Sequence, residues 1–134
     1  MTAGEADAKE PEWSYETDGY ANTVAVSADG EYIAVGTRYD YVYLFDKDSS
    51  TPLWSYDAGN NVCSVAISAD GEYIAVGSDT SYVYLFDKDS STPLWSYDTG
   101  GNAKSVVISA DGNYVAVGSS AGSDDLYLFK VSSS

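Results

Sequence analysis

Residues 41–56, Tyr-Val-Tyr-Leu-Phe-Asp-Lys-Asp-Ser-Ser-Thr-Pro-Leu-Trp-Ser-Tyr, recur without a single change as residues 82–97. An exact repeat of this length in a chain of 134 residues constrains the architecture more than any other property. Trp13, Trp54 and Trp95 are spaced by 41 residues, and so are Gly30, Gly71 and Gly112, and Gly36, Gly77 and Gly118. The register slips only after Gly118, where Phe45 and Phe86 are followed by Phe129, two residues late. The extra residues fall in the segment 119–125.

Within the middle period, residues 62–68, 72–76, 82–87 and 94–97 are rich in Val, Ile and Tyr and predict four short strands. Ser68-Ala-Asp-Gly71 between the first two is a tight hairpin, with Gly supplying a positive φ. The polar run 87–93 ends at Pro93, placed where a strand start needs no ladder donor. No segment holds a helical period. The chain is expected to be all-β.

Four antiparallel strands per period of about 40 residues mark the blade of a β-propeller. The run Val65-Ala-Ile-Ser-Ala-Asp-Gly-Glu-Tyr-Ile-Ala-Val-Gly77, followed by Tyr82-Val-Tyr-Leu-Phe-Asp87 and Leu94-Trp-Ser-Tyr97, resembles the WD-repeat-like and pyrroloquinoline-quinone-like propeller repeats of prokaryotes. The resemblance extends from Trp13 to Phe129 and implies a propeller of three near-identical blades. The Gly-His and Trp-Asp marks of eukaryotic WD repeats are absent, so their hydrogen-bond network is not expected. The stretches leading into Trp54 and Trp95 resemble the tryptophan docking motif of quinone-dependent dehydrogenases, with Ser-Ser in place of Thr-Gly. That resemblance implies a blade-packing role for both tryptophans. The catalytic Asp and calcium ligands of those enzymes have no identifiable counterparts here.

Residues 1–12, small, charged and aperiodic, are expected to form a disordered acidic leader. The repeats then occupy 13–131, as 16–56, 57–97 and 98–131 behind an outer-strand segment 13–15, with a tail at 132–134. Trp13, Ser14 and Tyr15 form a fourth strand with no first three before it. Leu126, Tyr127, Leu128 and Phe129 form a third strand with no fourth after it. These are complementary parts of one blade. Three blades fall short of the four to eight that close a ring, so closure is expected to come from a second copy. Two chains give six blades, the favoured count; three give nine.

The formal charge of −15, from 21 acidic and 6 basic side chains, opposes nucleic acid and anionic membranes as partners. No apolar run reaches the length of a membrane helix, and the N-terminal residues lack the pattern of a signal peptide. A cytoplasmic or recombinant origin is compatible with this. The lone Cys63 forms no intramolecular disulfide. The absence of histidine removes the usual general base and the commonest metal ligand. The loop 46–50 has oxygens at alternate positions, as calcium loops do, but lacks the central Gly and the closing Glu; its Asp and Ser suit turns better. No metal, cofactor or catalytic residue is expected.

The periods differ mainly in two places: the loop entering the first strand and the loop joining the second and third. Both are expected on one face. They display Tyr20, Asn22, Arg38, Tyr39, Asn60, Asn61, Asn102 and Lys104 as candidate binding residues, with unconstrained drift or designer choice as the plain alternative. Tyr43, Tyr84 and Tyr127 recur in one strand, as do Tyr32, Tyr73 and Tyr114 after the Asp-Gly turn. They are expected to pack blade against blade with their hydroxyls in solvent.

The resulting expectation is a non-catalytic, self-assembling propeller scaffold, engineered or cut from a longer repeat protein. Near-identical repeats fit recent duplication and deliberate design equally. One alternative is a natural module binding a protein, peptide or glycan through the varied loops. Another is a quinone-dependent oxidoreductase, decided by adding quinone and calcium.

Overall fold

The computed structural model describes residues 8–120 and 125–132. Residues 1–7 of the expected leader, the middle of the insertion and the last two residues lie outside them. Eleven described strands form three antiparallel sheets. The first blade comprises β1 (Ala21–Val26), β2 (Tyr32–Thr37), β3 (Tyr41–Asp46) and β4 (Trp54–Asp57). The second comprises β5 (Val62–Ile67), β6 (Tyr73–Ser78), β7 (Tyr82–Asp87) and β8 (Trp95–Asp98). The third has three strands among the described residues: β9 (Ala103–Ile108), β10 (Tyr114–Ser119) and β11 (Leu126–Lys130). These are propeller blades.

Strand limits shift slightly from the sequence expectation, and the turn chemistry explains one shift. The second strand of the middle blade starts at Tyr73, not at residue 72, because the Glu72 N–H donates to the Asp70 carboxylate at 3.0 Å. That carboxylate also accepts from the Ser68 hydroxyl at 2.8 Å, and Ser68 Oγ accepts from the Tyr73 N–H. Gly71 follows at φ 78°, and Gly30 and Gly112 repeat the geometry.

Asp29, Asp70 and Asp111 consequently hold their carboxyls below the ordinary value of 3.8. The serine hydroxyl is the main cause at Asp29 and Asp111; at Asp70 it is the Glu72 N–H. A depressed folded-state pKa contributes stability above the unfolded-state value and loses it as pH falls toward the folded one. Melting temperature should therefore drop steeply below about pH 4. Replacing all three aspartates by Asn should lower it at neutral pH and flatten that acid limb. An unchanged limb would exclude these turns as its source.

Two hydrophobic cores lie between successive blades. Ala34, Val42 and Leu44 on the trailing face of the first blade meet Val62, Val65, Ile74, Val76 and Phe86 on the leading face of the second. Ala75, Val83 and Leu85 of the second meet Ala103, Val106, Val115 and Val117 of the third. Inner strands add a side-chain bond across each boundary: Thr23 Oγ1 accepts from the Val65 N–H at 3.3 Å, and Ser64 Oγ accepts from the Val106 N–H at 3.2 Å.

Tyr32, Tyr84, Tyr73 and Tyr127 pack between blades, Tyr43 packs on Tyr15 and Tyr114 is exposed, and two of the hydroxyls expected in solvent are bonded. Tyr127 donates to the Thr99 carbonyl at 3.0 Å, and Tyr43 reaches Asp18 Oδ2 at 3.4 Å. The ring stands across the blade boundary, so its tip meets the neighbouring loop instead of water.

Candidate functional sites: the end blade faces and the inner-strand cleft

The two tryptophans expected to join blades do so by one geometry. Trp54, on the outer strand of the first blade, lies 5.0 Å from the Phe86 ring of the second and donates Nε1–H to the Lys88 carbonyl at 2.8 Å. Trp95 lies 5.1 Å from Phe129 and donates to the Val131 carbonyl at 3.3 Å. Trp13 repeats the arrangement on the first blade: its ring is 5.2 Å from Phe45 and its Nε1–H donates to the Lys47 carbonyl at 2.7 Å. Tyr15 follows suit against Phe45 at 5.1 Å, as Tyr56 does against Phe86. The segment 13–15 thus occupies the position of a preceding blade's fourth strand. Its backbone is not in a strand.

Both end faces carry exposed apolar side chains. Val24 is 66 % exposed, whereas its repeat equivalents Val65 and Val106 are 6 % and 3 % exposed. Leu126 and Leu128 are 72 % and 68 % exposed; Val42, Leu44, Val83 and Leu85 at the same positions are fully buried. Trp13, Tyr15, Ala21, Val24, Ile33, Val35 and Phe45 line an apolar groove of about 150 Å³ on the leading face. Ser14 is exposed beside it, and Tyr127 and Phe129 on the opposite end are half-buried.

A second site is polar and lies where the inner strands begin. In every blade a backbone bond joins the two varied loops: Arg38 N–H to Tyr20 O, Asp79 N–H to Asn61 O, and Ser120 N–H to Asn102 O, each at 3.0 Å. Asn22, Arg38, Asn61, Cys63, Asp79 and Lys104 line a cleft of about 290 Å³ there. Asn22 Nδ2 donates to the Val62 carbonyl at 2.9 Å, across the blade boundary. The Arg38 guanidinium lies over the Tyr20 ring, its Cζ 5.9 Å from the centroid. Tyr39 packs on Gly19, Asn60 caps the Asn61 N–H at 2.8 Å, and Asn102 sits in its loop; none of the three lines the cleft.

Cys63 and Asp79 also line the cleft, though neither is among the candidate binding residues read from the sequence. Both occupy varied positions of the repeat, Cys63 in register with Asn22 and Lys104, Asp79 in register with Arg38. The Cys63 thiol donates to Asp79 Oδ1 at 2.8 Å, and Asn61 Nδ2 donates to Asp79 Oδ2 at 3.2 Å. Burial, then the Asp79 bond, pushes the thiol up to about 12. Cys63 should therefore alkylate about 30- to 100-fold more slowly than a free peptide thiol at pH 8, the lost thiolate being partly offset by higher nucleophilicity. Asp79→Ala should accelerate it; an unchanged rate in the variant would show that the thiol is not held by Asp79.

Among the described residues no cluster of three potential metal ligands occurs. The Asp46 carboxylate in the loop weighed as a calcium site accepts the Asp48 N–H at 2.8 Å, an Asx turn.

The model of a family described as outer membrane protein assembly factor BamB matches residues 5–131. Nothing among curated proteins matches the chain. Among solved structures, the β-propeller domain of Cps50 (Swd1) from Myceliophteria thermophila superposes with a TM-score of 0.75 at 15 % identity. The match covers 87 % of this chain and 36 % of that one, so the chain spans about a third of the propeller it resembles.

Proposed function

The chain belongs to the family of outer membrane protein assembly factor BamB, and from that premise we propose a non-catalytic propeller scaffold that two copies close into a six-bladed ring. The family is named for assembly, not for a catalysed reaction. One observation carries the reading: the leading face of the first blade and the trailing face of the third are the two halves of the interface already built twice inside the chain. In a ring, Leu126 and Leu128 of one copy fill the groove beside Val24 of the next. Ser105 Oγ, exposed on the third blade, takes the place of Thr23 and Ser64 and accepts the N–H of residue 24 of the second copy.

The strand register extends in the same way. Leu85 pairs with Trp95 and Tyr84 with Ser96. The repeat then sets Leu128 opposite Trp13 and Tyr127 opposite Ser14 of a second copy. The side chain of Trp13 stays on its own first blade while its backbone completes the other chain's third.

Burying four apolar side chains contributes about 6–12 kcal/mol per interface. A single interface barely offsets the cost of association, about 4–15 kcal/mol, but a ring of two chains forms two interfaces for one loss of rigid-body freedom. Closure is therefore favoured over open chains. Light scattering on a sizing column tests it: the expected mass is twice 14.3 kDa. A stable monomer would overturn the reading, and a trimer would replace six blades by nine.

A further inference from the structure

We propose that the polar cleft where the inner strands begin is a recognition site for a small carboxylate that carries a neighbouring hydrogen-bond donor, a hydroxy or amino acid. It lies within one chain and goes beyond the ring-closure reading, whose failure would leave it intact.

The first observation is in the ladders. On each inner strand the register breaks at one residue. Ala21 pairs with Thr37 and Thr23 with Gly36, so Asn22 is the extra residue; Cys63 and Lys104 are extra in the same way on β5 and β9. A β-bulge leaves its residue out of the ladder and re-aims the side chain. The three bulge residues are Asn, Cys and Lys, in repeats that elsewhere share long identical runs. Variation is thus concentrated on side chains that the backbone turns out of the sheet, and all three line one cleft.

The second observation is charge. The chain has six basic residues against 21 acidic ones, yet two of the six, Arg38 and Lys104, border this cleft. Lys47 and Lys88 are paired with turn carboxylates, whereas among the described residues no ion pair involves Arg38 or Lys104. Asp79, the one carboxylate in the lining, is already engaged by Asn61 and Cys63. The guanidinium, steadied on Tyr20, offers a planar fork that matches a carboxylate, and the ammonium adds a point charge. Asn22 and Asn61 each give one amide N–H to Val62 and Asp79, which fixes the amides with their carbonyl oxygens as acceptors for the ligand's donor group.

Titrating the full chain with lactate, propionate and inorganic phosphate, followed by the side-chain NMR signals of Arg38, Asn22 and Asn61, tests this. Lactate should give saturable shifts at all three, with propionate binding more weakly for want of a donor. Arg38→Gln, at an exposed position that leaves the fold alone, should weaken lactate by about 10- to 100-fold, and Lys104→Gln should also weaken it. Saturated lactate should slow Cys63 alkylation. Unsaturable shifts, equal binding by Arg38→Gln, or phosphate binding as tightly as lactate would overturn the proposal.

Discussion

Gly118→Val should leave the blades folded and yet release the protein as a monomer of 14.3 kDa. The repeat supplies its own controls. A Cβ at Gly77 would lie 2.5 Å from the Ala103 carbonyl of the next blade, and one at Gly36 would lie 2.3 Å from Val62 Cγ1. At Gly118 a Cβ meets nothing within 4 Å, because among the described residues no blade presses against that face. In the closed ring that blade is the first of a second copy, and Ala21 takes the place of Val62 and Ala103. Valine suits an extended backbone and costs the isolated chain nothing by packing. At the ring interface it forces two backbones apart, an overpacking cost of about 1–3 kcal/mol or more repeated at both interfaces of a dimer. Gly77→Val should instead destabilise the chain itself, seen as a lower melting temperature. If Gly118→Val still elutes at the wild-type mass, the trailing face of the third blade is not a closing surface.

The sequence made the blades legible because the repeat is exact where the fold needs it. Tryptophan, the Asp-Gly turn and the glycine at the blade boundary recur at one spacing, and Trp54 and Trp95 donate to carbonyls at the same repeat position of the next blade. The mismatch between the two chain ends was legible for the same reason: counting strands is counting copies of a motif. The bulges were not. An extra residue in a ladder changes which side chains share a face without leaving a mark in composition, so Asn22 and Lys104 stood out only as variable and Cys63 only as a thiol without an intramolecular disulfide partner. Asp79 was hidden differently. Its role depends on a thiol sixteen residues upstream and an amide eighteen upstream, brought to it by the β5–β6 hairpin. The tyrosine hydroxyls went astray because a repeat fixes where a ring packs, whereas its polar tip reaches loops that vary.

Removing residues 1–15 should dissociate the ring and lower the melting temperature. Deletion strips Trp13 and Tyr15 from Phe45 and Tyr43 and takes away the strand that β11 lacks. Trp13→Ala isolates the first effect. For a half-buried tryptophan with one backbone acceptor, about 2–3 kcal/mol is expected, somewhat below the 3–5 of a fully buried one. Strand exchange itself is read by a cross-link. Tyr82 pairs with Asp98, so the repeat sets residue 125 of one copy opposite residue 16 of the next. Opposed residues in an antiparallel ladder have Cα atoms about 4.5–5.5 Å apart, within disulfide range. A chain carrying Glu16→Cys and Asp125→Cys, with Cys63→Ser, should oxidise to a covalent dimer on a non-reducing gel. The deletion variant retains residue 16 but has no strand to hold it in register, so with the same substitutions it should cross-link poorly. A cross-link at the mass of a single chain would mean that the N-terminal segment folds back onto its own third blade, and the exchange would be wrong.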